Sequence, residues 1–102
     1  MKKINRELFD RLASDLGYYL FFTDRSFTSE EEFREMHRQT ADIYEVSFYS
    51  ALETAVFFDK NFKKLEKKKF EIISNVSEIK RNRHKTTKEA LTTVLFDLGF
   101  EL

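Results

Sequence analysis

An all-α, up-down helical bundle is the fold this sequence predicts, and three observations predict it. Proline is absent from the 102 residues and glycine occurs only twice, so few backbone positions oppose helix. Apolar residues recur at spacings of three and four over four stretches, the period of a helix with one buried face. Capping-box pairs stand before two of those stretches, at Thr28/Glu31 with Ser29/Glu32 and at Thr86/Glu89. The expected bundle has three long helices and a short C-terminal one, in a single domain over residues 1–102.

The first helix is expected over residues 3–23. Ile4, Leu8, Leu12, Leu16 and Tyr19 form its stripe, with Phe9 and Ala13 alongside, and Asn5 is the candidate cap. Gly17 opens an alternative, in which the helix stops at Leu16 and Tyr18–Phe22 run extended. The C-terminal DLGFEL echoes DLGYYL at Asp15–Leu20. Strands near 18–22 and 99–102 would then make the fold α+β.

Asp24–Phe27 reads as a turn, and the second helix spans 29–58. One arc of it carries Phe33, Met36, Ile43, Tyr44, Phe48, Ala51, Ala55 and Phe58. The opposite arc begins polar but turns apolar from Val46, through Tyr49, Leu52, Val56 and Phe57. A helix apolar all round has to be covered all round, by its own chain or by a partner. Ser47, Ala51 and Ala55, four residues apart, suit close approach by another helix.

Asp59-Lys60-Asn61 separates this from a third helix over 62–82, with Asp59 or Asn61 as cap. Phe62, Leu65, Ile72, Ile73, Val76 and Ile79 make its inner arc, and Lys63, Lys64, Lys67 and Lys68 occupy the opposite one. After a basic turn, Arg81–Lys85, the fourth helix spans 87–98 with Leu91, Val94, Leu95 and Leu98 inward, ended by Gly99.

Charge is balanced overall, 18 basic against 18 acidic side chains, but unevenly along the chain. Residues 1–59 hold 7 Lys+Arg against 12 Asp+Glu, and residues 60–102 hold 11 against 6. Lys60–Lys88 alone carries 11 basic and 3 acidic side chains. Like charges at Lys60/Lys64, Lys63/Lys67 and Lys64/Lys68 each cost about 0.2–0.5 kcal/mol. Something anionic is therefore expected near them, either the acids of helix two or a phosphate backbone.

The sequence offers little for catalysis. Cysteine is absent and histidine occurs twice, so neither thiol chemistry nor a catalytic metal site is expected. His37 is expected to be a hydrogen-bonded core residue. The Glu-x-x-His pairing of di-iron bundles is missing, since Arg34 and Arg81 stand three residues before His37 and His84. Arg81-Asn82-Arg83-His84 resembles the Arg-Asn…His motif of HEPN-type helical ribonucleases in composition but not in spacing, so no role is carried over. No Gly-rich phosphate loop, nucleophile–base grouping or paired inward carboxylates are visible. No catalytic residue, cofactor or small-molecule substrate is expected.

The longest apolar run, Leu16–Phe22, falls far short of the ~20 residues of a membrane span. The N-terminus has no apolar signal stretch. No membrane partner is therefore expected, and the location expected is cytoplasmic. Tyr18, Tyr19, Phe21, Phe22, Phe27, Tyr49, Phe57 and Phe58 cannot all point into one small core, so either helix two is central and covered on both sides or an aromatic patch is exposed for a second copy or a protein target.

The function expected is a non-enzymatic domain binding a protein target stoichiometrically, of the immunity-protein, antitoxin or phage-inhibitor kind, or pairing with itself. Val46, Tyr49, Val56 and Phe57 are its candidate contact residues. The alternative is a small nucleic-acid-binding regulator using Lys63, Lys64, Lys67, Lys68, Arg81, Arg83 and Lys85.

Overall fold

The computed structural model describes the backbone of residues 1–23 and 30–102, and the side chains of residues 1–23 and 38–102. In chain order these form β1 (Lys2–Lys3), α1 (Arg6–Thr23), α2 (Glu30–Phe58), a 3-10 turn (Lys60–Phe62), α3 (Lys63–Lys67), α4 (Lys69–Arg83), α5 (Thr87–Asp97) and β2 (Phe100–Glu101). The architecture is an all-α bundle. At 1.5 Å per residue the 29-residue α2 is about 43 Å long. It therefore sets the longest dimension of a molecule measuring 43 × 28 × 20 Å.

Helix α1 buries one face against both α2 and α5. Asn5 caps it, its Oδ1 accepting the Leu8 N–H at 2.7 Å, and Phe9, Leu12, Ala13, Leu16 and Leu20 are buried. It lies between α2 on one flank and α5 on the other. Gly17 does not end it. The glycine packs against the start of α5, where an added Cβ would stand 3.4 Å from Thr87 Oγ1, an ordinary van der Waals contact.

The inner arc of α2 is rotated from the expected one. Phe48, Ala51, Leu52 and Ala55 are buried, whereas Ile43 and Phe58, expected inward, face solvent. Against α1 the small residues Ala51 and Ala55 meet the leucine face. One turn earlier, Ser47 Oγ donates to Asp15 Oδ2 at 2.9 Å. Asp15 is buried, and Arg11 Nε stands 3.9 Å from the same oxygen. A buried carboxylate needs such partners.

The predicted third helix is broken. Asp59 caps the 3-10 turn, accepting the Asn61 N–H at 2.9 Å, and Lys68 leaves helical geometry between α3 and α4. The break lets Phe62 and Leu65, then Ile72 and Val76, all reach the core; Ile73 and Ile79 are only half-buried. His84 ends α4 in the left-handed region at φ 52°, which histidine tolerates better than most residues. Thr86 and Glu89 form the reciprocal capping box that opens α5. Gly99, at φ +93°, ends it.

A C-terminal strand exists, but its partner is not 18–22, which is helix. Lys2–Lys3 pairs parallel with Phe100–Glu101, through Lys2 N–H to Gly99 O at 3.1 Å and Ile4 N–H to Glu101 O at 2.7 Å. Ile4 and Phe100 are buried, and Phe100 stacks on Phe62 with centroids 5.7 Å apart. Lys2 Nζ lies 2.6 Å from Asp59 Oδ2. Both termini are thus tied to the turn between α2 and α3. The capping boxes expected at Thr28/Glu31 and Ser29/Glu32, and inward placements of Phe33, Met36 and His37, lie outside the described side chains.

Two outcomes follow from this packing. Leu16→Ala lowers the unfolding free energy by about 2–5 kcal/mol, and Thr86→Ala by about 1 kcal/mol, both read from urea titrations. Lys2 and the Asn61 N–H hold the Asp59 carboxyl below its usual range. A depressed folded value stabilises above the unfolded pKa of about 3.9 and is lost as pH falls through the folded value. Asp59→Asn therefore flattens the acid limb of the stability curve below about pH 4, while at neutral pH it removes the pairing with Lys2.

Candidate interaction surface

Four candidate contact residues were expected on α2, and they divide into two pairs. Tyr49 and Val56 are half-buried and pack against the core. Val46 is 65% exposed and Phe57 85%. The chain thus does not enclose α2 by itself: of the two arrangements the sequence left open, a helix covered by its own chain or one with an apolar patch exposed, the second is observed. The physical reason is local: α1 takes the Ser47/Ala51/Ala55 side and α3 takes the Leu52/Val56 side. No further element among the described residues is seated on the third side.

That third side is coherent. Successive residues of an α-helix turn by about 100°, so positions eleven apart return to within about 20° of each other. Val46 and Phe57 are eleven apart, and Ser50 and Glu53 fall between them on the same line. Ile43, 66% exposed, extends the line toward the N-terminus. Phe70, 66% exposed at the start of α4, lies at its edge, edge-on to Tyr49 with centroids 5.7 Å apart. Sequence periodicity missed Phe70, because its neighbours Ile72 and Val76 set the inner arc only after the break at Lys68.

The Tyr49 hydroxyl donates to Glu45 Oε1 at 2.8 Å, and Lys69 Nζ sits 4.7 Å from the Tyr49 ring centroid. Partial burial and the neighbouring Glu45 carboxylate push the Tyr49 phenol well above its ordinary value, so it remains a neutral donor. At the end of α2, Phe57 and Phe58 meet edge to face at 5.3 Å. A second aromatic cluster, with Tyr18 stacked on Tyr44 at 4.8 Å, lies at the other end of α1. It borders a groove of about 720 Å³ lined by Gly17, Phe21, Phe22 and Thr87. The groove's two charged groups, Asp10 and Lys88, stand 3.5 Å apart.

The basic residues do not converge. Lys63, Lys64 and Lys67 are exposed on α3 and Lys68 is half-buried at its end, whereas Arg81, Arg83 and Lys85 sit at the far end of α4. Fifteen helical residues put those groups about 22 Å apart along the axis. Lys68 pairs with Glu71 at 3.3 Å and Lys85 with Glu89 at 3.8 Å. Among the described residues no carboxylate pairs with Lys60, Lys63, Lys64 or Lys67. The described acids of α2, Asp42, Glu45 and Glu53, therefore form no ion pair with this cluster.

Among the described residues no three His, Cys, Asp or Glu side chains group as metal ligands. His84 is exposed at the end of α4. No described helix is long and apolar enough to cross a membrane. The chain matches no family model, no curated protein and no solved structure.

Proposed function

We propose that this chain is a non-enzymatic interaction domain that binds a protein stoichiometrically through the outward face of α2. The observation that carries the reading is the line Ile43–Val46–Phe57, large apolar side chains left to solvent on one face of the longest helix. Isolated exposed apolar residues are ordinary, but an aligned set continued by Phe70 and Tyr49 is the kind of patch that marks an interface. Aromatic anchors at such faces carry much of the binding energy. Immunity proteins, antitoxins and phage-encoded inhibitors exemplify the class, which acts by occupying a surface rather than by chemistry. The absence of cysteine suits a cytoplasmic setting.

A second reading, nucleic-acid binding, draws support from the unpaired lysines of α3. The separation of that cluster from Arg81, Arg83 and Lys85 weighs against one continuous phosphate track. A gel shift on mixed RNA and DNA, with retention that collapses as salt rises, would favour it.

The protein-binding reading makes a sharper demand. Val46→Glu and Phe57→Glu each weaken the stoichiometric complex by about 2 kcal/mol or more, roughly thirtyfold in Kd. Thr93→Glu, on the exposed side of α5, leaves it unchanged. Calorimetric titration of the purified partner with each variant checks this, circular dichroism confirming that helicity persists.

A further inference from the structure

The outward face of α2 is pseudo-symmetric about Ser50. Ile43 and Phe57 each lie seven residues from it, two turns in either direction. Val46 lies four residues before it and Thr54 four after. We propose that the occupant of this face is a second copy of the chain, α2 lying antiparallel on α2 about a two-fold axis at Ser50. This rests on the face being the interaction surface, as argued above. In such a pair Ile43 of each copy packs on Phe57 of the other, and Val46 meets the methyl group of Thr54. Ser50, small and central, allows the axes to approach to the ~8–10 Å of packed helices.

Charge selects the occupant and the direction. A two-fold axis between facing helices brings each flank of α2 beside the same flank of the other copy, run in reverse. The flank marked by Tyr49 also carries Asp42 and Glu45, which lie eight and five residues before Ser50. Along the same flank, α3 returns from the turn at Asp59 to the level of Tyr49, where Lys69 covers the ring. Antiparallel pairing carries Asp42 and Glu45 to the levels of residues 58 and 55 of the second copy. There they lie alongside Lys60, Lys63, Lys64 and Lys67, lysines with which no carboxylate among the described residues pairs. Parallel pairing would instead set Glu53 on Glu53 and leave those lysines unmatched.

Sedimentation equilibrium on the whole chain reads the pairing directly. Wild type sediments at twice the 12.3 kDa chain mass, with a dissociation constant that rises several-fold with added salt. Val46→Glu, or Phe57→Glu should the first fold poorly, returns the single-chain mass with helicity unchanged. Because the chain has no cysteine, Arg38→Cys gives one nitroxide per copy, twelve residues from the axis. The two labels stand about 36 Å apart along the helices in the antiparallel pair, whereas in a parallel pair they share one level and are separated only by the ~10 Å between the axes. A single-chain mass at about 100 µM, or the short nitroxide distance, overturns the proposal. A single-chain mass together with a heterologous partner lost on Val46→Glu overturns self-pairing alone. A dimer that survives both glutamate variants overturns self-pairing through this face and with it the reading of the face.

Discussion

The seam between α1 and α2 decides what the rest of the molecule presents. Ser47, Ala51 and Ala55 are small, so α1 can lie close against that side of α2. The Ser47 hydroxyl donates to the buried Asp15 carboxylate and fixes the rotation further, because that oxygen has few other partners. Once the rotation is set, Leu52 and Val56 turn toward α3. The line of Ile43, Val46 and Phe57 is left facing away from both neighbours.

Both termini brace the turn at Asp59 between α2 and α3. The parallel pairing of Lys2–Lys3 with Phe100–Glu101 is only two residues long and has little stability by itself. It persists because Ile4, Phe62 and Phe100 close over one another beneath it, and Lys2 spans to Asp59. The consequence for the surface is direct. With its carboxylate engaged by Lys2 and Asn61, Asp59 is not among the acids that could pair with the lysines of α3.

Much of this was legible in the residues. The bundle, the C-terminal bounds of α1 and α2, the span of α5, the Asn5, Asp59 and Thr86 caps and the Gly99 stop follow from periodicity and capping chemistry, whereas α1 begins at Arg6 and not at the expected residue 3, which is strand. The rotation of α2 did not follow, because both of its arcs are apolar, and a 3.6-residue period cannot rank two greasy faces. What ranks them is residue size: Ser47, Ala51 and Ala55, small residues the sequence already sets apart, mark the side α1 reaches, with Phe48 buried beside them. The break at Lys68 was hidden because no glycine or proline marks it; tertiary packing of Leu65 and Ile72 enforces it. The N-terminal strand escaped notice because two residues carry no alternation, and the echo of DLGYYL in DLGFEL pointed to the wrong partner.

The basic candidates show the opposite failure. A run of charge in sequence suggested one site, and geometry split it, since α4 carries Arg81–Lys85 a helix length away from Lys63–Lys68. The four residues proposed on α2 fared differently: Val46 and Phe57 form the open face, and Tyr49 and Val56 form its half-buried shoulder. An apolar circumference enclosed on only two sides is the central physical claim. Solvent paramagnetic relaxation on methyl-labelled protein, followed from dilute to concentrated samples, tests it most directly. The account predicts strong relaxation at the Ile43 and Val46 methyls when dilute, fading on association, with Leu16, Leu52 and Leu91 protected throughout. Protection of Val46 in the dilute single chain would contradict it.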